Sequence, residues 1–294
     1  MLAKIKEWYE TKYKILLIFP MLLVVLSLLQ IAIQYHTTGD FVHKGIGLKG
    51  GSAITFDHLT APPANLESFL RSRFPDLDVS VRTINTGATV GVIIESAAQD
   101  QESIDRLLAA VGEKIDITAQ HSTEVVGSSL GASFFQQTAI ALLIAFILMG
   151  IVVFFYFRIP VPSLAVIAAG FSDIVVTLAI FNLTGEKLSA GGVAAFLMLV
   201  GYSVDTDMLL TNRVLRREGQ VLDKIYWSIR TGMTMTLTTL VAVLVALLLV
   251  QSEVIKQIML ILFIGLIVDM IMTWIQNVAI LRIYLDHKKA GQRP

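Results

Sequence analysis

The sequence predicts an α-helical membrane protein with six transmembrane helices and one external α+β domain, ferredoxin-like in its element order, between the first and second helices. Three observations carry that expectation. The 294 residues are 55% hydrophobic with a mean hydropathy of +0.71, and the apolar residues gather into runs long enough to cross a bilayer. Lysine and arginine cluster at alternate ends of these runs. The stretch Tyr35–Gln136 is polar enough to fold in water.

Residues 1–34 comprise a basic N-terminus, with Lys4, Lys6, Lys12 and Lys14, and a first span at Ile15–Ile33. That run is too long for the core of a signal peptide, and Ser27–His36 shows no small-residue cleavage site, so it reads as a retained anchor. Residues 35–136 follow as the external domain. Gly51–Asp57 alternates as a strand does, and Asn65–Phe74 reads as a helix with Leu66, Phe69, Leu70 and Phe74 on one face. Asp78–Ile84 and Thr89–Glu95 flank the turn residues Asn85, Thr86 and Gly87. Ser103–Ile115 is a second helix, and Ile117–Val126 closes the sheet. The order β-α-β-β-α-β is that of the split ferredoxin-like motif, whose face or edge suits an extended polypeptide.

Gly45–Gly50 matches G-x-G-x-x-G, but it precedes a strand instead of linking a strand to a helix, so it is no dinucleotide fingerprint. Its glycines suit either a hinge or a close backbone approach where the sheet begins. No Walker pattern occurs, so no nucleotide engine is expected.

Residues 137–282 hold five further spans: Thr138–Phe157, Ser163–Phe181, Gly191–Leu210, Ser228–Val250 and Ile258–Leu281. Residues 283–294 form a basic tail. Arg158, the group Arg213, Arg216, Arg217 and Lys224, and the group Arg282, Lys288, Lys289 and Arg293 lie on the side of the N-terminal lysines, whereas the opposite turns carry only Lys187 and Lys256. Both termini are therefore expected in the cytoplasm and residues 35–136 outside, in a multi-pass protein of the plasma membrane. The absence of cysteine excludes disulfides, thiolate zinc sites and cysteine nucleophiles. The histidines of the external stretch lack metal-ligand spacing, so neither metal nor cofactor is expected. Net charge is zero without a basic stripe, which argues against nucleic acid.

Function is expected where acids lie at membrane depth, since a charge there costs at least about 2.5–3.5 kcal/mol unless it meets a partner or a wet pathway. Asp205 and Asp207 share the fourth span. Two positions apart, they are turned by about 200° and cannot share a face. Ser203 and Thr211 accompany Asp207, and Gly201 and Tyr202 accompany Asp205. Arg230, with Thr234 and Thr238 on its face, opens the fifth span. It reads as a counter-ion for either acid, or as an arginine reaching for the headgroups. Asp173 falls in mid-third span, and Asp269 heads the stripe Asp269, Thr273, Asn277 in the sixth, with Gly265 and Gln276 nearby. Asp205, Asp207, Arg230, Asp173 and Asp269 are thus candidates for ion coupling. Tyr202, Ser203, Thr206, Thr234, Thr238, Thr273 and Asn277 are candidates for polar packing or relay. Protonated acids hydrogen-bonded within the bundle are the structural alternative.

The segments GIGLKGGSAITF (Gly45–Phe56), VGSSLGASF (Val126–Phe134), GYSVDTDMLLTNRVLRR (Gly201–Arg217) and SIRTGMTMTLTTL (Ser228–Leu240), together with Asp173, resemble the SecD/SecF protein-export family of the resistance-nodulation-division superfamily. The fourth-span segment is the specific part, and Asp269–Leu281 looks archaeal. The resemblance implies an auxiliary, non-enzymatic subunit of Sec export, working with a SecD-like partner, the translocon channel and an exported polypeptide, and driven by the proton gradient. The bacterial signature of the family places its acid where this chain has Thr206, and Asp205 falls where the sister subunit carries its own. The alternatives are a small-molecule or lipid exporter of the same superfamily and, third, an intramembrane aspartyl protease, whose Gly-x-Gly-Asp element GYSVD lacks.

Overall fold

The computed structural model describes residues 9–59, 65–85, 90–115, 121–250 and 252–290. Lys4, Lys6, Arg293, the turn residues Thr86 and Gly87, and positions 117–120 of the expected last strand lie outside them. Among the described residues, six helices are long and apolar enough to cross a membrane: α1 (Tyr13–Thr38), α4 (Ser128–Phe157), α5 (Pro160–Leu183), α6 (Ala190–Arg216), α7 (Val221–Leu249) and α8 (Glu253–Lys288). A four-stranded sheet with two short helices lies between α1 and α4 in the chain.

Every helix outruns its expected span, because backbone hydrogen bonding continues past the apolar run into flanking polar residues. Thus α6 continues beyond Leu210 to Arg216, and α4 begins at Ser128 instead of Thr138. The stops have local causes. The chain after α1 turns at Gly39, whose φ of +77° is left-handed and whose N–H donates to Tyr35 O at 2.8 Å. Between α4 and α5, Arg158 takes a φ of +55° and Pro160 opens the next helix, where the N–H it lacks has no intrahelical partner to lose.

Residues Lys44–Ile140 with Lys187–Ala190 form one compact unit, and the helical remainder forms the other. The first unit therefore starts later than the expected 35–136 boundary, takes in the beginning of α4, and includes a segment of the α5–α6 loop.

Within it, β1 (Gly51–Leu59), α2 (Leu66–Arg73), β2 (Ser80–Asn85), β3 (Val90–Ser96), α3 (Gln101–Val111) and β4 (His121–Val126) follow one another. The sheet is antiparallel with strand order β2-β3-β1-β4. Alternation puts Ile54, Phe56, Val92 and Ile94 on its covered face, against Leu66 and Leu70 of α2 and Ile104, Leu107 and Val111 of α3. Phe69 and Phe74 are only partly buried at the edge of that core. Asp100 caps α3, and the Ser103 N–H on its carboxylate holds its pKa below the usual range. Of the two roles open to the Gly45–Gly50 glycines, Gly50 takes the close backbone approach: its φ is +87°, and a Cβ there would lie 2.4 Å from Ser128 Cα. The next residue, Gly51, has a φ of +136°, and a Cβ there would lie 2.3 Å from Ser96 O.

In the helical unit, 61%, 50% and 56% of the most apolar windows of α5, α6 and α8 are buried, against 11%, 11% and 17% for α1, α4 and α7. Its interior is therefore built from α5, α6 and α8, the helices that carry Asp173, Asp207 and Asp269. Close approach of α6 and α8 is permitted by Gly265, where a Cβ would fall 2.5 Å from Leu199 Cδ1.

Candidate functional site

Helix geometry decides which acids of α6 meet the other helices. Asp207 is wholly buried and Asp205 is exposed, as residues about 200° apart on one helix must differ. Ser203, Thr206, Leu210 and Thr211 are buried with Asp207. That inward face meets Asp173 of α5 and Asp269 of α8, which are 0% and 1% exposed. Asp173 lies within electrostatic reach of both other carboxyls.

Each acid is held by neutral donors. Ser203 Oγ donates to Asp173 Oδ2 at 2.5 Å. Thr206 Oγ1 lies 3.1 Å from both oxygens of Asp269, and Thr273 Oγ1 lies 3.1 Å from its Oδ1. Asn277 Nδ2 donates to Asp207 Oδ1 at 2.7 Å. Gln276 Nε2 donates to Ser172 Oγ at 3.2 Å, and that hydroxyl donates to the Ala168 carbonyl on its own helix. Among the described residues, no lysine or arginine pairs with any of the three acids. Asp173 Oδ1, Asp207 Oδ2, Thr177 Oγ1, Thr211 Oγ1, Gln276 Oε1 and Asn277 Oδ1 are buried without a hydrogen-bond partner among the described residues.

Met272–Asn277 of α8 is a π-helical segment. Its Thr273, Gln276 and Asn277 are all inside, each 0% exposed, as positions i, i+3 and i+4 share one face of a helix. Gln276, a neighbour of the stripe in the sequence, is thus part of the polar interior. Thr177 and Ser172 were missed, although Thr177 stands at i+4 from Asp173 just as Thr211 does from Asp207. That repeated spacing was the available signal.

The expected pairing of Arg230 with Asp205 or Asp207 is not formed. The buried face of α7 runs through Ile225, Ser228, Gly232, Thr236 and Val243. Arg230 is two residues from both Ser228 and Gly232, so it projects from the opposite side and is exposed. Thr234 and Thr238 are exposed too, and their hydroxyls donate to the Arg230 and Met235 carbonyls of their own helix. Tyr202 is 40% exposed beside Asp205. The structure thus brings together Asp173, Asp207, Asp269, Ser203, Thr206, Thr273 and Asn277, and leaves Asp205, Arg230, Tyr202, Thr234 and Thr238 on the surface of the helical unit. No group of three or more acidic or histidine ligands suited to a metal ion occurs among the described residues.

Residues 106–287 match the family described as Protein export membrane protein SecD/SecF, C-terminal. The chain is 36% identical over 291 residues to the protein-export membrane protein SecF of Pyrococcus furiosus, covering 98% of this chain and 97% of that one. It is 38% identical over 287 residues to the protein of the same name from Methanolacinia petrolearia, covering 97% and 96%. Among solved structures, the translocon-associated membrane protein SecDF from Thermus thermophilus superposes with a TM-score of 0.72 at 20% identity. That match covers 93% of this chain and 38% of the SecDF chain, and it shows a shared fold.

Proposed function

This chain belongs to the SecD/SecF family of protein-export membrane proteins, and on that premise we propose that its buried carboxyl cluster couples ion movement to export. It is a multi-pass membrane protein and an auxiliary subunit of Sec export. The observation that carries the coupling is the meeting of Asp173, Asp207 and Asp269 in an interior where, among the described residues, hydroxyls and amides hold them.

Three ionised carboxylates in such an interior repel one another and lose hydration, at several kcal/mol per ion even after relaxation. Protons or a passing cation relieve that cost, so occupancy of the cluster differs in free energy between arrangements of α5, α6 and α8. A two-state rearrangement biased by that occupancy is sufficient for coupling. One charge crossing 100 mV supplies about 2.3 kcal/mol, so each step is small or draws on several ions.

The exposed Asp205 and Arg230 are costly against lipid and inexpensive against a polar neighbour, which fits a SecD-type partner on that surface. The external domain faces away from the cytoplasm, where the exported polypeptide emerges from the translocon. Its edge strand β4 is exposed along most of its length and suits the addition of an extended chain. The relatives compared above are protein-export membrane proteins, so a small-molecule or lipid exporter is the less supported reading, and no catalytic residue is assigned.

Export of a secretory reporter into inverted membrane vesicles tests the proposal. Asp207→Asn is expected to remove most of the gradient-dependent increment while leaving gradient-independent export in place. An increment equal to wild type in Asp173→Asn, Asp207→Asn and Asp269→Asn alike contradicts it.

A further inference from the structure

Glu95 on β3 is a buried carboxylate of the external unit that holds two cations together. Its side chain is 7% exposed; Oε1 accepts from Arg82 on the adjacent β2 at 2.5 Å, and Oε2 lies 3.2 Å from Lys187 Nζ. Lys187 also donates to Ser80 Oγ at 2.6 Å. Arg82 and Ser80 belong to the same sheet as Glu95. Lys187 comes from the loop that joins α5 to α6.

Backbone contacts fix the same loop. Gly45 N donates to Leu188 O at 2.9 Å, Lys44 and Leu188 form a parallel bridge, and the Leu188 side chain is buried. At Gly45 a Cβ would stand 3.2 Å from the Leu188 carbonyl oxygen. The segment Lys187–Ala190 therefore folds as part of the external unit, although the helices on either side carry Asp173 and Asp207. Residues 184–189 alone join those helices, which leaves little slack to absorb a displacement.

We propose that Lys187 is a positioning residue that latches the α5–α6 loop onto the β2–β3 pair, so that movement of the acid-bearing helices is delivered to the sheet of the external domain. A fully exposed pair would be too weak and too screened for such a role. Here a buried carboxylate is shared between Arg82 and a lysine whose side chain is 23% exposed, so losing the lysine leaves buried charge less well compensated. The delivery of movement rests on the ion-coupling reading above; the latch itself does not.

The test compares Lys187→Glu, which sets like charge against Glu95, with Lys187→Met, which removes the charge, and Lys187→Arg, which keeps it. Hydrogen–deuterium exchange of the full chain in a bilayer is expected to be several-fold faster over residues 184–190 in the Glu and Met variants. Wild-type rates are expected in the Arg variant, with α2 and α3 unchanged in all three as a control for folding. Where Lys187→Glu also loosens α2 and α3, the Met variant decides. In vesicles, the gradient-dependent increment of export is expected to fall several-fold in the Glu and Met variants and to persist in the Arg variant. Wild-type loop exchange in both the Glu and Met variants overturns the latch. Fast loop exchange with a full gradient-dependent increment overturns its role in coupling. Asp173→Asn, Asp207→Asn and Asp269→Asn measured alongside separate the two ideas: if all three increments equal wild type, the ion-coupling reading fails, and the exchange data alone judge the latch.

Discussion

Ser203 supplies the one hydrogen bond that reaches the Asp173 carboxyl among the described residues, since Asp173 Oδ1 has none. Truncating that hydroxyl leaves both oxygens of a wholly buried acid unsatisfied, which costs about 1–3 kcal/mol, or more if the acid is charged. Ser203→Ala is therefore expected to destabilise the protein by that amount in denaturant titrations in mixed micelles. The part of this site that was legible in the sequence was the part governed by helical periodicity. The spacing of two between Asp205 and Asp207 separated them onto different faces, and Ser203 and Thr211 at i−4 and i+4 marked the polar edge of Asp207. Which of the two faces turned inward was not legible, because that depends on how α6 is rotated against α5 and α8. Arg230 shows the same limit. Its depth along α7 permitted a pairing, and its position opposite Ser228 and Gly232 removed it.

Elements were readable where one period dominates. The four-stranded sheet follows from alternation at Ile54 and Phe56, and α2 from the apolar face through Leu66 and Leu70. The π-helical segment of α8 was not readable. MTWIQN has no residue that demands a wider turn, and its stabilisation comes from tertiary partners such as the Asn277–Asp207 and Gln276–Ser172 hydrogen bonds. Glycines Gly50 and Gly51 were ambiguous between hinge and close approach until the neighbouring backbone was known. Their role yields a prediction at this scale. Gly51→Ala forces a Cβ against the Ser96 carbonyl at a left-handed φ, so unfolding and exchange measurements are expected to show a loss of about 1–3 kcal/mol confined to β1, β3 and the elements packed on them.

For the whole molecule, the even number of membrane helices among the described residues leads to the proposal that both ends of the chain share one side, and the distribution of lysine and arginine favours the cytoplasm as that side. Because the chain contains no cysteine, single substitutions report location cleanly. Ser68→Cys in α2 is expected to react with a membrane-impermeant thiol reagent in intact cells, and Gln220→Cys in the α6–α7 loop only after permeabilisation; the reverse pattern inverts the topology. At this scale the chain is a helical unit that buries an acid cluster and a second unit that includes part of the α5–α6 loop.

Coupling at the acid cluster is read out by ion flux. With the chain and a SecD-type partner co-reconstituted in vesicles under an imposed gradient, internal pH and sodium are followed together. Wild type is expected to show an inward flux of one of these ions that is lost in Asp207→Asn and retained in Tyr202→Phe. A flux that is the same in wild type, Asp207→Asn and protein-free vesicles would contradict it.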